Sequence, residues 1–176
     1  MRTFVKNWTC IAAGIFLVGC QVQPLYKAEV GGDDDFSNLT TAFQALEISD
    51  PKTRVDQVVR NELSFALTGG NEPTLPTAFT LDLKSNVSIR SVGISDIDFG
   101  PAAFFITVQT DYILKDLKLA APIAQGSETG TAGYDRSDQE FANVRAEKDT
   151  TERAAKTAAQ KVRHAISLAL KSRQTQ

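Results

Sequence analysis

Cysteine is nearly absent from this 176-residue chain: there are two, Cys10 and Cys20, both within the first twenty positions. A disulfide framework and a cysteine-rich metal centre are therefore excluded. His164 is the one histidine, which argues against a zinc site or a histidine-based catalytic centre. No apolar run is long enough to cross a bilayer as a helix; the longest, from Trp8 to Val18, covers ~11 residues against a ~30 Å hydrocarbon core. Neither sign of charge dominates: 19 basic and 21 acidic side chains leave a net −2, which argues against a chain devoted to gripping nucleic acid. Nucleophile elbows, phosphate loops and glycine-rich nucleotide fingerprints are missing as well. What remains is ordinary globular composition, 42% apolar, 23% charged and 8% aromatic, which rules out collagen-like, low-complexity and largely disordered architectures. A chain of this size buries roughly 70% of its unfolded surface and needs no cross-link to fold as one domain.

The first twenty residues set the compartment. Arg2 and Lys6 give a short basic opening, and Trp8 to Val18 is a run of secretory h-region length. It ends in Leu17-Val18-Gly19-Cys20, which resembles the bacterial lipobox, where a small residue precedes a cysteine that takes lipid and becomes the new N-terminus. The expectation is a lipoprotein signal peptide over residues 1–19 with Cys20 as the lipidation site. Loss of Arg2 and Lys6 would leave 17 basic against 21 acidic residues, a charge of −4. Each buried methylene contributes about 0.8 kcal/mol, so several acyl chains form a lasting anchor. In the lipoproteins this resembles, Asp after the cysteine retains the chain on the inner membrane; Gln21 points instead to the outer membrane, with the protein on its periplasmic side. Residues 20–38, with Pro24, Gly31-Gly32 and Asp33-Asp34-Asp35, read as a lipidated tether. The aspartates lack the alternating spacing and terminal Glu of a calcium loop, and no metal or cofactor is expected anywhere.

Periodicity describes a globular body over 39–176. Leu39 to Ile48 is expected as a first strand. Asp50 and Pro51 suit the cap and first position of a helix, whose apolar residues Val55, Val58, Val59, Leu63, Ala66 and Leu67 lead to Gly69-Gly70. A second strand alternates cleanly, with Phe79, Leu81, Leu83, Val87 and Ile89 on one side and Thr80, Asp82, Lys84, Asn86, Ser88 and Arg90 on the other. A third places Phe104, Ile106, Val108, Tyr112 and Leu114 against Thr107, Gln109 and Asp111. Ile123 to Tyr134, rich in Gly, Ser and Thr, reads as a weakly packed edge strand. Ser137 and Glu140 have capping-box spacing ahead of a helix predicted to reach about Lys171. Its stripe runs from Phe141 and Val144 to Ala155, Ala158, Ala159, Val162, Ile166, Ala169 and Leu170, thin enough between Val144 and Ala154 to bend or overhang. Asp149–Arg153 and Glu152–Lys156 are favourable i,i+4 pairs. The order β-α-β-β-β-α with one-sided elements implies an α+β two-layer sandwich: two helices on one face of a four-stranded, mainly antiparallel sheet.

Catalytic chemistry finds little support. Asp96 and Asp98 are the nearest approach to a carboxylate pair and read as turn residues, and His164 reads as a surface or rim side chain. The expectation is a protein that is not an enzyme. Lys84 and Arg90, on one strand face, and Lys115 and Lys118, flanking the third connection, are the candidate cations for an anionic lipid head group.

Cys20-Gln21-Val22-Gln23-Pro24-Leu25-Tyr26 resembles the opening of the lipopolysaccharide-assembly lipoproteins of the LptE type found in alphaproteobacteria. Tyr134 to Asn143, then Ala146-Glu147-Lys148-Asp149 and Glu152-Arg153-Ala154-Ala155, are similar to the start of that family's last helix. The resemblance implies helices on a four-stranded sheet and a non-enzymatic role. The partner would be a very large outer-membrane β-barrel of the LptD type, plugged by the lipoprotein, with lipopolysaccharide as cargo and no nucleic acid involved. An auxiliary lipoprotein of a phospholipid or solvent ABC-type transporter is the alternative that the same features allow.

Overall fold

The computed structural model describes residues 33–71, 73–93, 102–119 and 122–174. The signal peptide, Cys20, the Val22–Tyr26 cluster and the Asp96/Asp98 pair lie outside them.

The first element departs from expectation. Asp33–Gln44 is a helix, α1, and strand β1 is confined to Leu46–Ile48. Leu39, Ala42 and Phe43 stand at i, i+3 and i+4, a helical stripe that joins the core together with Leu46. The aspartate run assigned to the tether is instead the first turn of α1.

Helix α2 spans Arg54–Thr68, and its cap is Thr53, three residues beyond the expected Asp50. The Thr53 hydroxyl accepts from the Asp56 N–H at 3.1 Å, and the Asp56 carboxylate accepts from the Thr53 N–H at 3.0 Å. This reciprocal box satisfies two orphan amides; a start at Asp50 would put Thr53 at the third helical position, where it has no carboxylate or amide to reach back to the Asp50 N–H. Gly69, at φ +68°, closes the helix in the left-handed conformation, with its N–H on the Phe65 carbonyl at 2.9 Å.

Strands β2 (Phe79–Val92), β3 (Ala103–Asp116) and β4 (Pro122–Asp135) form an antiparallel meander, and β1 adds to β2 in parallel, giving the order β1-β2-β3-β4. The register pairs Leu81 with Leu114 and Val108 with Gly130. Odd residues of β2 and even residues of β3 and β4 thus share the face beneath the helices. There Leu63, Leu81, Val108, Leu114, Val162, Ile166 and Leu170 are fully or almost fully buried. The α+β sandwich with a four-stranded mixed sheet is the observed architecture.

Helix α3, Glu140–Gln174, runs for 35 residues, about 52 Å at 1.5 Å per residue, much the same as a 14-residue strand at about 46 Å. Its buried seam is alanine: Ala154, Ala155, Ala158 and Ala159. Opposite the seam lies Gly130, where an added Cβ would stand 2.0 Å from the Ala154 carbonyl oxygen and 2.6 Å from the Ala158 nitrogen. Backbone meets backbone, so only glycine fits, and the glycines of β4 mark close approach. The stripe does not begin at Phe141: that ring is 75% exposed and Val144 is 46% exposed. Nor does the Ser137–Glu140 box form. Instead Asn143 reaches back, its Oδ1 accepting from the Ser137 N–H at 2.8 Å and its Nδ2 donating to the Ser137 carbonyl at 2.9 Å. Asp149 and Arg153 pair at 2.9 Å as expected, whereas Glu152 faces Arg54 of α2 at 3.6 Å. At the other end Arg173 pairs with the buried Asp116 and lies over the Phe79 ring, 5.8 Å from its centroid.

Candidate interaction surface

The helices cover one sheet face and leave the other open. On that face β2 presents Thr80, Asp82, Lys84, Asn86, Ser88 and Arg90; β3 presents Phe105, Thr107, Gln109, Asp111, Ile113 and Lys115; and β4 adds Gln125, Ser127, Thr129 and Thr131. Strand alternation alone produces this sorting. Hydroxyls and amides outnumber charges, and neighbours bond across the strands and along them: Thr107 and Thr131 hydroxyls lie 3.1 Å apart, and the Gln109 amide donates to Asp111 of the same strand at 3.3 Å. Phe105 is 45% exposed and rests its ring on Gly133, within 3.1 Å of where a Cβ would be. Phe105, Val92 and Ile89 with Ser88, Arg90, Thr107 and Thr131 line a shallow groove at the far end of the β2–β3 hairpin.

The four candidate cations are spread out. Lys84 and Arg90 do share the open face, but six residues of β2 separate them, roughly 20 Å of extended chain. Lys115 is on the same face, opposite Thr80, and its ammonium is held by Asp82 at 2.7 Å. Lys118 sits in the exposed turn after β3, where its backbone N–H donates to Asp116 at 2.7 Å. The structure therefore brings three of them to one surface without gathering all four at one point.

Buried polar groups lie on the helix side and serve the fold. Asp56 accepts from the Ser85 N–H at 2.7 Å in addition to Thr53, and the Ser85 hydroxyl meets that of the fully buried Thr110 at 3.1 Å. Burial pushes the Asp56 carboxyl up, but hydrogen bonds from Thr53 and Ser85 outweigh it and hold the group below the usual carboxylate range. Asp116 is also held low, chiefly by the Lys118 N–H and then by Arg173. Burial, then the Glu128 charge, pushes the Tyr112 phenol up. His164 is exposed on α3. Among the described residues no three His, Cys, Asp or Glu side chains gather to hold a metal, and no helix is long and apolar enough to cross a membrane.

The same layered arrangement is found in solved structures of other proteins. A lipoprotein from Caulobacter crescentus CB15 superposes with a TM-score of 0.60 at 25% identity, over 76% of this chain and 96% of its own. A minor lipoprotein from Acinetobacter baumannii gives 0.57 at 12% identity, over 72% and 92%. Rare lipoprotein B from Shewanella oneidensis gives 0.53, also at 12% identity, over 70% and 92%. This fold occurs in lipoproteins. The Caulobacter likeness extends to sequence, and it agrees with the lipobox read at Leu17–Cys20; the two at 12% speak for the fold alone. No family model matches the chain, and no curated protein sequence matches it.

Sequence reasoning missed two features of this surface. One is the apolar end of the groove: Phe105 stands between Phe104 and Ile106 of the helix-side face, and strict alternation backward from Thr107 places it on the open face. The other is the pair of exposed apolar residues that opens α3.

Proposed function

We propose that this chain is a non-enzymatic lipoprotein, anchored through Cys20 to the periplasmic side of the outer membrane, that partners a large β-barrel in delivering lipopolysaccharide to the cell surface. The observation that carries the reading is the open sheet face. Three 14-residue strands present a broad surface of Thr, Ser, Asn and Gln with few charges, while the described helices pack behind it. A barrel lumen is polar, and a neutral hydroxyl-rich face can meet it without desolvating many ions. The likeness to lipoproteins and the lipobox support the anchor. Lys84 and Arg90 are the cations on that face with room for phosphate; Lys115 becomes available only by giving up Asp82, and Lys118 contributes from the turn.

Purification of the tagged protein from detergent-solubilised membranes tests this. A barrel recovered in stoichiometric amount supports the reading, and an inner-membrane permease complex in its place establishes the ABC-transporter auxiliary. Cys20→Ser is expected to abolish palmitate labelling and release the protein from the outer-membrane fraction. Depletion is expected to lower surface lipopolysaccharide and mature barrel together.

A further inference from the structure

The two outer edges of the meander are treated differently. On β4, α3 side chains occupy the outward carbonyls: Lys161 donates to Thr129 at 2.7 Å and Arg153 to Gly133 at 3.2 Å. On β2, protection starts the same way. β1 pairs with Phe79–Leu81, the Ser49 hydroxyl accepts the Leu83 N–H at 3.2 Å, and Asp56 accepts the Ser85 N–H at 2.7 Å. Those bonds show that odd-numbered amides of β2 point away from β3. The register stays unbroken to Val92, so the N–H and C=O groups of Val87, Ile89 and Ser91 also point outward, and among the described residues none has a partner. No proline or bulge blunts this stretch, the usual devices for protecting an edge.

We propose that the edge of β2 from Val87 to Val92 is a strand-addition site for an extended segment of a partner protein in which apolar and acidic residues alternate. Main-chain pairing supplies the affinity and alternate side chains the selectivity. On the helix side the added strand would meet Val87, 36% exposed, and Ile89, 51% exposed. On the open face it would lie beside Arg90, which is exposed and has no acidic partner among the described residues, with Lys84 further along the same strand. Apolar side chains on one face and carboxylates on the other therefore complement this edge. The site stands independently of the barrel reading, since it specifies a strand chemistry and not the protein that carries it.

The test is residue-resolved amide exchange on the full-length protein in detergent, with a short synthetic peptide of alternating valine and glutamate as the probe. A peptide of equal composition, with its valines in one block and its glutamates in another, is the control. The alternating peptide is expected to slow exchange at Val87, Ile89 and Ser91 by about tenfold or more, as new ladder bonds would, and to leave Ser88 and Arg90, already paired with β3, unchanged. Ile89→Pro removes an amide that the β2–β3 ladder does not use and should abolish the slowing with the melting temperature unaltered. Arg90→Glu, an exposed change that keeps the test readable should Ile89→Pro prevent folding, is expected to weaken the glutamate peptide about tenfold and to favour a valine–lysine one. Three results overturn the proposal: no slowing at those amides with the peptide in excess, equal slowing with the block peptide, or slowing without peptide that grows with protein concentration. The last would make a second copy of this chain the occupant.

Discussion

Asp56 shows how much one side chain can join. It caps α2, receives an amide from the β2 edge, and lies beside the Ser85–Thr110 hydroxyl pair inside the sandwich. Asp56→Asn keeps the shape but turns one acceptor into a donor facing an N–H, and should cost about 1–3 kcal/mol in urea unfolding. Because folding lowers the Asp56 and Asp116 pKa values, their contribution is complete above the unfolded carboxylate value of about 3.9 and is lost as pH falls from there through the folded values. Stability measured from pH 6 downward should therefore drop with a slope that Asp56→Asn flattens. At Gly130 a methyl would collide with the α3 backbone, so Gly130→Ala is expected to lose about 3 kcal/mol or fail to fold. Gly126→Ala, which meets only the movable Tyr112 ring tip, should be milder; differential scanning calorimetry of the pair decides it.

Elements were legible where one period was sustained. The alternation of β2 and β3 gave their faces almost residue by residue, and the alanine seam of α3 gave its packing side. Residues 39–48 were misread because ten positions held two periods in succession, a helical stripe through Leu39, Ala42 and Phe43 and then a strand of three residues. The α2 cap was displaced because Ser49, Asp50 and Thr53 all offer side-chain oxygens, and only the position of the Ser85 amide selects the turn that Asp56 must close. Of the candidate surface, the polar face could be read from the sequence. The place of Lys115 relative to Lys84 and Arg90 could not, since it depends on which residues of β2 and β3 lie opposite one another. The exposed opening of α3 carries its own expectation: Phe141→Ser with Val144→Ser should change stability by less than about 0.5 kcal/mol in chemical unfolding, since neither side chain is buried.

Across the described residues, polar and apolar demands are separated by layer: the helices keep the sandwich together on one side and leave a polar sheet face on the other. Substituting Thr107 and Thr129 by arginine alters the open face without touching the core. The variant is expected to melt within a few degrees of the wild type, and, on the barrel reading proposed above, recovery of that partner in membrane pull-downs should fall at least about tenfold, since unpaired cations would be carried into a confined contact.

The parallel neighbours β1 and β2 are joined through α2, whereas β2, β3 and β4 pair antiparallel in the order of the sequence. A crossover of this kind closes only after its helix has docked, so assembly acquires a sequence in time. The meander can zip from its own reversals, and the short first strand must wait for it. A newly made chain would thus display an unfinished flank before its short first strand comes home, a brief interval in which a chaperone has something to hold.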